Sequence, residues 1–275
     1  EEVSRGLGDV YKRQHVRGNI PEATKYYKNC IEKGIKDCRV FSNYGIILNN
    51  LGKLKDAELL YRKAIEINPN YANANCNLGN LLCDLRRLKD AEFYTRKAIE
   101  INPNFANAYS NLGKILYSLG KLKDAELSYR KAIHLNPSFT DAYYNLGNLF
   151  FDLNKLKNAE LSYRKAIQLN PNFTAAHYNL GRISIDLGKL KDAELSYRKA
   201  IELNPNFAIC HANLGDLLRD LGKLKDSEFH TRKAIEIDPN YAIAHANLGD
   251  FLRDYGNLKD AEVSTRKAIA LNPDY

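Results

Sequence analysis

ANAYSNLGKILYSLGKLKDAELSYRKAIHLNPSF, residues 106–139, is one of seven consecutive 34-residue units that fill the chain from residue 38 to residue 275. The units follow one another without insertions, at 38–71, 72–105, 106–139, 140–173, 174–207, 208–241 and 242–275. A fixed period of this length predicts a stacked array of one supersecondary unit. Because each unit of such an array contacts only its neighbours, the array offers an extended surface.

Small residues and proline recur at fixed places in every unit. The places of a unit are numbered from 1 to 34. Glycine holds the eighth place and alanine the twenty-seventh in all seven units, and seven of the eight prolines hold the thirty-second. Apolar or small residues recur at helical spacing on both sides of the turn Ser118–Lys121, which predicts two antiparallel helices per unit. Proline disfavours helix in the preceding residue, so Asn136 is expected to end the second helix.

A 34-residue period with these small residues resembles the tetratricopeptide repeat. The resemblance implies an all-α fold, a right-handed superhelical solenoid of tandem helix-turn-helix repeats. The chain departs from the family pattern at the fourth place, which is often tryptophan there. Arg86 and Asn154 also replace the glycine that is usual between the two helices.

The two ends of the chain carry separate predictions. Residues 1–14 include DVYKRQ, which resembles one reading frame of a transposon end used in sequencing libraries, and we interpret them as an artefact rather than a domain. Residues 15–37 match the later places of a preceding unit and are interpreted as a partial repeat. The seven complete repeats are expected to form one domain, and the sequence is interpreted as a fragment of a longer protein.

Composition narrows the class of protein. No apolar run approaches the roughly 20 residues that cross a bilayer, and no secretory signal is visible, so a cytoplasmic protein is expected. The five cysteines lack C-x-x-C spacing, which favours reduced thiols over disulfides or a zinc site. We expect no cofactor and no metal.

The net charge of +8 raises the question of a nucleic-acid partner. The first fourteen places of the seven units hold eight acidic and five basic residues, so the positive charge lies mainly in the turns and second helices. First helices line the concave groove in tetratricopeptide superhelices, which implies a mildly acidic groove and a basic outer face. A charged face without interleaved aromatic residues is usually only solvated, so nucleic-acid binding is not favoured.

The sixth place is asparagine in every unit, although asparagine is a mediocre helix former. One amide side chain carries a donor and an acceptor, the complement of a peptide group. With first helices about 10 Å apart, one asparagine would meet an extended ligand about every three residues. The predicted peptide-binding residues are Asn43, Asn77, Asn111, Asn145, Asn179, Asn213 and Asn247.

This asparagine ladder resembles the tetratricopeptide arm of O-linked N-acetylglucosamine transferases, in which asparagines of the N-L-G motif bind substrate backbone. The alternative, that the asparagines bond within or between units as a structural ladder, stays open. Selectivity is expected from variable neighbours, and the acidic ones favour a basic ligand segment toward the C-terminal end. These neighbours are Asn80, Lys114, Asn148, Arg182, Asp216, Asp220, Asp250 and Asp254.

Residue types capable of catalysis occur, but not in a convergent pattern. His177, His211 and His245 lie one repeat apart at the fourth place, too far from one another for a shared metal, and are interpreted as packing residues. No acid, base and nucleophile converge, so the chain is not expected to be an enzyme.

The sequence therefore predicts a protein-interaction scaffold that binds an extended polypeptide in the concave groove. Two alternatives stay open. The chain could be the substrate-recruiting arm of a larger transferase whose catalytic domain is absent here, or a module for self-association.

Overall fold

A computed structural model describes residues 20–273, which form fifteen α-helices and no strand. The predicted all-α fold class is confirmed. The segment interpreted as an artefact (1–14), the start of the partial repeat (15–19) and the last two places of the seventh unit lie outside the described residues.

The helices have nearly uniform lengths and are numbered in chain order. They are α1 Ile20–Glu32, α2 Cys38–Asn50, α3 Leu54–Ile67, α4 Ala72–Asp84, α5 Leu88–Ile101, α6 Ala106–Ser118, α7 Leu122–Leu135, α8 Thr140–Asp152, α9 Leu156–Leu169, α10 Thr174–Asp186, α11 Leu190–Leu203, α12 Ala208–Asp220, α13 Leu224–Ile237, α14 Ala242–Asp254 and α15 Leu258–Leu271.

The chain divides into two larger compact units, the first ending at Ala142 and the second beginning at Tyr143. From here on, "unit" means one of these two, and each 34-residue segment is called a repeat. In the first unit α2 pairs with α3, α4 with α5 and α6 with α7, and α3–α4 and α5–α6 contacts join these hairpins. In the second, the hairpins α10–α11, α12–α13 and α14–α15 are joined by α11–α12 and α13–α14 contacts, and α9 packs on α10. From α2 onward, each first helix begins at the first place of the 34-residue period.

The eighth-place glycine lets the two helices of a hairpin approach closely. A Cβ atom on Gly113 would lie 2.5 Å from Cε1 of Tyr129, and one on Gly147 would lie 2.6 Å from Cε1 of Tyr163. Both tyrosine rings are fully buried. Because the close-packed ring has no room to retreat, any side chain at this place would push the helices apart.

The turn inside each hairpin needs one residue with positive φ. Gly52 and Gly120 supply it with φ of 74°, while Arg86 and Asn154 adopt φ of 61° and 54° at the same place. Residues with a Cβ atom pay a steric cost in this conformation, and asparagine pays less than most.

The link between hairpins is a turn closed by the residue before proline. Helix α7 ends at Leu135, Asn136 is extended, and its Oδ1 accepts a hydrogen bond from the Ser138 amide at 3.1 Å. Among residues 20–273, no helix is long and apolar enough to cross a bilayer.

Candidate peptide-binding face

The first helices of neighbouring repeats contact one another as well as their own partners. These contacts join α2 with α4 and α4 with α6 in the first unit, and α12 with α14 in the second. The sixth-place asparagines lie on these helices, and all seven are half-buried. We call the side of the first helices that carries the sixth-place asparagines the first-helix face, and describe it separately in each unit.

The amide nitrogen of the sixth-place asparagine reaches back to the fifth place of the preceding repeat. In the first unit, Nδ2 of Asn77 donates to Ser42 Oγ at 3.3 Å, and Nδ2 of Asn111 donates to Cys76 Sγ at 3.3 Å. This bond joins two adjacent hairpins.

The same bond recurs in the second unit with different acceptors. Asn179 and Asn213 donate to the hydroxyls of Tyr144 and Tyr178 at 3.3 and 3.2 Å, and Asn247 donates to the backbone carbonyl of Ala212 at 3.3 Å. For these five asparagines, no group in the described part of the chain donates to Oδ1. The acceptor half of the amide is therefore free on a half-buried surface.

The selectivity residues in the middle of the sequence make varied contacts. Lys114 pairs with Asp84 at 2.8 Å in the first unit. In the second unit, Oδ1 of Asn148 accepts from Tyr163 at 2.7 Å and from Asn179 at 3.0 Å, and the Arg182 guanidinium lies 4.7 Å from the centre of the Phe151 ring. Asn148 is thus occupied by the protein itself. The side chain of Asn80 makes no hydrogen bond to any described residue.

The four aspartates of α12 and α14 form what we call the acidic patch: Asp216, Asp220, Asp250 and Asp254. Arg219 lies among them, 2.8 Å from Asp216, 3.6 Å from Asp250, 3.7 Å from Asp220 and 4.0 Å from Asp254.

A second arginine, Arg253, contacts Asp250 at 2.9 Å and Asp254 at 3.4 Å. The patch therefore keeps a net charge of −2 rather than −4. Burial raises the pKa of Asp216, and the carboxylates of Asp220 and Asp250 raise it further against the pull of Arg219. The two aspartates with the weakest arginine contacts are Asp220 and Asp254, which remain exposed.

The fourth-place histidines do not come together. Nε2 of His177, His211 and His245 each donates to the proline carbonyl that precedes its own helix, at 2.9, 3.1 and 2.9 Å. No cluster of His, Cys, Asp or Glu side chains that could hold a metal ion occurs within residues 20–273.

The cysteines are free thiols, and four of the five are buried. Burial raises the pKa of Cys76 and of Cys210 to about 12. Both side chains are therefore neutral packing residues near neutral pH, and a thiolate nucleophile is not formed there.

Three family profiles match successive parts of the chain. One, described as TPR repeat, matches residues 45–85, 96–120 and 113–154. The other two are described as tetratricopeptide repeat: one matches residues 72–105, 140–173 and 174–207, and the other matches residues 196–229 and 230–263. The chain belongs to the tetratricopeptide repeat (TPR) family. A comparison with curated proteins found no match to this TPR chain.

Solved structures agree with this assignment. YrrB, described as a TPR protein with an unusual peptide-binding site, is 30% identical over 66% of this chain and 93% of its own, with a TM-score of 0.58. PilF of Pseudomonas aeruginosa is 21% identical over 74% of this chain and 93% of its own, with a TM-score of 0.68. A chain of the APC/C complex Cut9-Hcn1 is 17% identical over 93% of this chain and 50% of its own, with a TM-score of 0.70. The last two show the shared fold alone.

Sequence reasoning left the inter-repeat hydrogen bonds open as an alternative and missed the arginine inside the acidic patch. The first had a readable signal, since the fifth place holds Ser42, Cys76, Tyr144 and Tyr178, which are all able to accept. The family and its structural neighbours are typical of non-catalytic protein-interaction scaffolds.

Proposed function

We propose that this TPR chain is a peptide receptor whose first-helix face binds an extended segment of a partner protein. The observation that carries the proposal is the divided use of the sixth-place amide. Nδ2 donates to the preceding repeat, which orients the side chain, and Oδ1 accepts from no described residue. An amide held in this way is a pre-organised acceptor for a ligand N–H, so little side-chain entropy is lost on binding.

The spacing of repeats suits a peptide backbone. First helices that pack at about 10 Å place successive Oδ1 atoms about three extended residues apart. Both hydrogens of Asn179 Nδ2 are used within the protein, by Tyr144 and Asn148, so each asparagine is proposed to contribute one hydrogen bond to the ligand, through Oδ1. Among the similar proteins, YrrB is described as having a peptide-binding site, and it shares 30% identity with this chain.

Two matched pairs of variants test the proposal. Asn179→Ala with Asn213→Ala removes both the ligand acceptor and the inter-repeat bond. Tyr144→Phe with Tyr178→Phe removes the acceptors of the same inter-repeat bonds and leaves Oδ1 in place. The two pairs therefore separate the ligand role of the ladder from its structural role.

The measurement is fluorescence anisotropy with the best binder from an array of extended 12-residue peptides. At about 1 kcal/mol for each lost hydrogen bond, the double alanine variant should bind about 30-fold more weakly. The double phenylalanine variant should bind within about threefold of the wild type. A copy of the peptide with N-methylated backbone amides should also lose affinity.

Equal binding by the wild type and the double alanine variant, with helicity kept, would overturn the proposal. Equal losses in the two variant pairs would do the same, because they would show that the asparagines act only through the packing of the repeats.

The partner segment is proposed to be basic where it meets the acidic patch. Asp220 and Asp254 have the weakest arginine contacts and can turn to a ligand. Replacing both with asparagine should remove a preference for Lys-rich over Glu-rich peptides and should leave the affinity for neutral peptides unchanged. An undiminished preference for Lys-rich peptides would contradict this part of the proposal. The transferase arm and self-association stay predictions from the sequence.

A further inference from the structure

Repeats five, six and seven share a histidine at the fourth place but differ at the twenty-third. In repeat six, the twenty-third place is His230, whose Nδ1 lies 2.9 Å from Nδ1 of His211. In repeats five and seven the same place holds Ser196 and Ser264. This difference decides whether the space beside the fourth-place histidine is filled.

His211 and His230 show how the filled version is built. The Nε2 atom of His211 lies 3.1 Å from the Pro205 carbonyl, which can only accept, so Nε2 carries the proton. Nδ1 of His211 is therefore an acceptor, and Nδ1–H of His230 donates to it. The His230 ring also packs edge-on against Phe229, with ring centres 5.1 Å apart.

Repeats five and seven present the same acceptor to an open groove. His177 and His245 hold the same Nε2 bond to a proline carbonyl at 2.9 Å, which leaves Nδ1 as the acceptor. No group among residues 20–273 donates to either Nδ1. The serine side chains that face them are much smaller than the imidazole of His230.

Each open groove is lined by the second helix of one repeat and by both helices of the next, and no sixth-place asparagine lines either groove. The first measures about 400 Å³ and is lined by Ile167, Leu180 and Leu195 beside His177. The second measures about 510 Å³ and is lined by Ile235, Leu248 and Val263 beside His245. Leu195 and Val263 are 68% and 64% exposed, so apolar surface stands open at both entrances.

Basic side chains border both grooves. Arg164 and Lys199 lie at the first, where Arg164 also contacts Glu160 and Asp192 and the neighbouring twenty-ninth place is the neutral Gln168. Arg232 and Lys267 lie at the second together with Glu236, and Arg232 also contacts Glu228. In the first groove Lys199 also contacts Glu202, three residues further along the same helix. In the second groove the residue three positions after Lys267 is Ala270, so Lys267 has no carboxylate partner at this spacing.

We propose that each of these two grooves binds an aromatic side chain with a ring N–H or O–H donor, presented by a partner polypeptide that carries an acidic residue beside it. His230 serves as an internal example of the guest, because it places a planar ring with a donor against the same acceptor in the homologous repeat. Tryptophan, tyrosine and histidine meet this description. The basic border selects a neighbouring carboxylate. This site goes beyond the first-helix face and does not depend on it.

The chain supplies its own matched variants for a test. Ser196→His and Ser264→His copy repeat six and should close the two grooves. His230→Ser copies repeats five and seven and should open a third groove at His211. Each substitution places a residue that the same place already holds in another repeat.

The experiment titrates the full chain with the peptide Ac-Glu-Trp-Glu-NH₂ and follows the histidine ring nitrogens by NMR. We expect binding in about the millimolar range that suits a single side chain, with shifts at His177 and His245 and none at His211. The serine-to-histidine variants should weaken binding at least tenfold. His230→Ser should raise the number of sites from two to three.

Two control peptides define the chemistry. Ac-Glu-Leu-Glu-NH₂ lacks the ring donor and Ac-Lys-Trp-Lys-NH₂ reverses the flanking charge, and both should bind at least fivefold more weakly. Equal binding of the leucine peptide would overturn the assignment of Nδ1 as the recognising acceptor. The absence of shifts at His177 and His245 at several millimolar peptide would overturn the site itself. If Ser196→His fails to fold, the number of binding sites in His230→Ser provides the test. Three sites would support the proposal, and two sites would overturn it.

Discussion

Acidification is expected to destabilise repeat six through the buried pair of histidines. His211 and His230 are 4% and 7% exposed, and their Nδ1 atoms lie 2.9 Å apart, a distance that requires a single proton between them. Burial, with smaller contributions from the charges of His211 and Arg198 and against the attraction of Asp226, lowers the pKa of His230 to about 4. Burial also lowers the pKa of His211, with Lys233 in the same direction and with Pro205 and Glu236 opposing.

The sign and size follow from the difference between folded and unfolded chains. An unfolded histidine titrates near 6.5, so between about pH 6.5 and 4 the unfolded chain binds more protons than the folded one. The contribution to stability is fully present above about pH 6.5 and is lost as the pH falls toward 4. At about 1.4 kcal/mol per pKa unit, His230 alone should cost about 2 kcal/mol between about pH 7 and 4.5.

Urea unfolding followed by circular dichroism at these two pH values provides the assay, with His230→Ser as the control. Serine holds the same place in four other repeats, and the variant keeps the carboxylates whose titration forms the background. The wild type should lose about 2 kcal/mol more than the variant across this range. An NMR titration of His230 should give a pKa well below 6.5. Equal losses in the two proteins, or an ordinary pKa, would refute the reasoning.

Three further predictions concern the repeat itself. Gly113→Ala should cost about 1–3 kcal/mol in urea unfolding, because its Cβ atom would lie 2.5 Å from the buried Tyr129 ring; a cost near zero would show that the helices separate freely. Arg86→Gly should raise stability by up to about 1 kcal/mol by relieving a φ of 61°, and Asn154→Gly should raise it less; a loss at Arg86 would contradict the assignment of strain. Glu160→Gln should cost about 1 kcal/mol, because its 10%-exposed carboxylate contacts Arg164 and Lys189, whereas the control Glu262→Gln, with a 62%-exposed carboxylate, should change little; similar effects in both would show that burial does not strengthen the pair.

Periodicity alone located the hairpins, because the interactions that define a hairpin join residues that are close together in the sequence, within one repeat. The eighth-place glycine and the twenty-fourth-place tyrosine lie sixteen residues apart in one repeat, as at Gly113 and Tyr129, and their packing repeats wherever the pattern does. The turn residues behave in the same way. Arg86 and Asn154 take the positive φ of the glycines they replace, since the flanking helices impose that conformation.

The sixth-place asparagines show where sequence reasoning ran out. The pattern singled out the residues but left the peptide-binding and structural roles open. Their Nδ2 acceptors lie thirty-five residues back, as for Asn77 and Ser42, and only the packing of adjacent hairpins brings the two places together. The acidic patch is similar, since its charge depends on Arg219 lying among aspartates of two different helices.

The sequence by itself determined the 34-residue period, the two helices in each repeat and the small residues between them, because these depend on helical periodicity and on sterics within one repeat. Only the tertiary structure decided that Nδ2 of the asparagines joins neighbouring repeats and that His230 fills in repeat six a groove that stands open in repeats five and seven. The physical reason is that contacts between adjacent hairpins depend on side-chain size and direction at places far apart in the chain, which a repeating pattern does not specify.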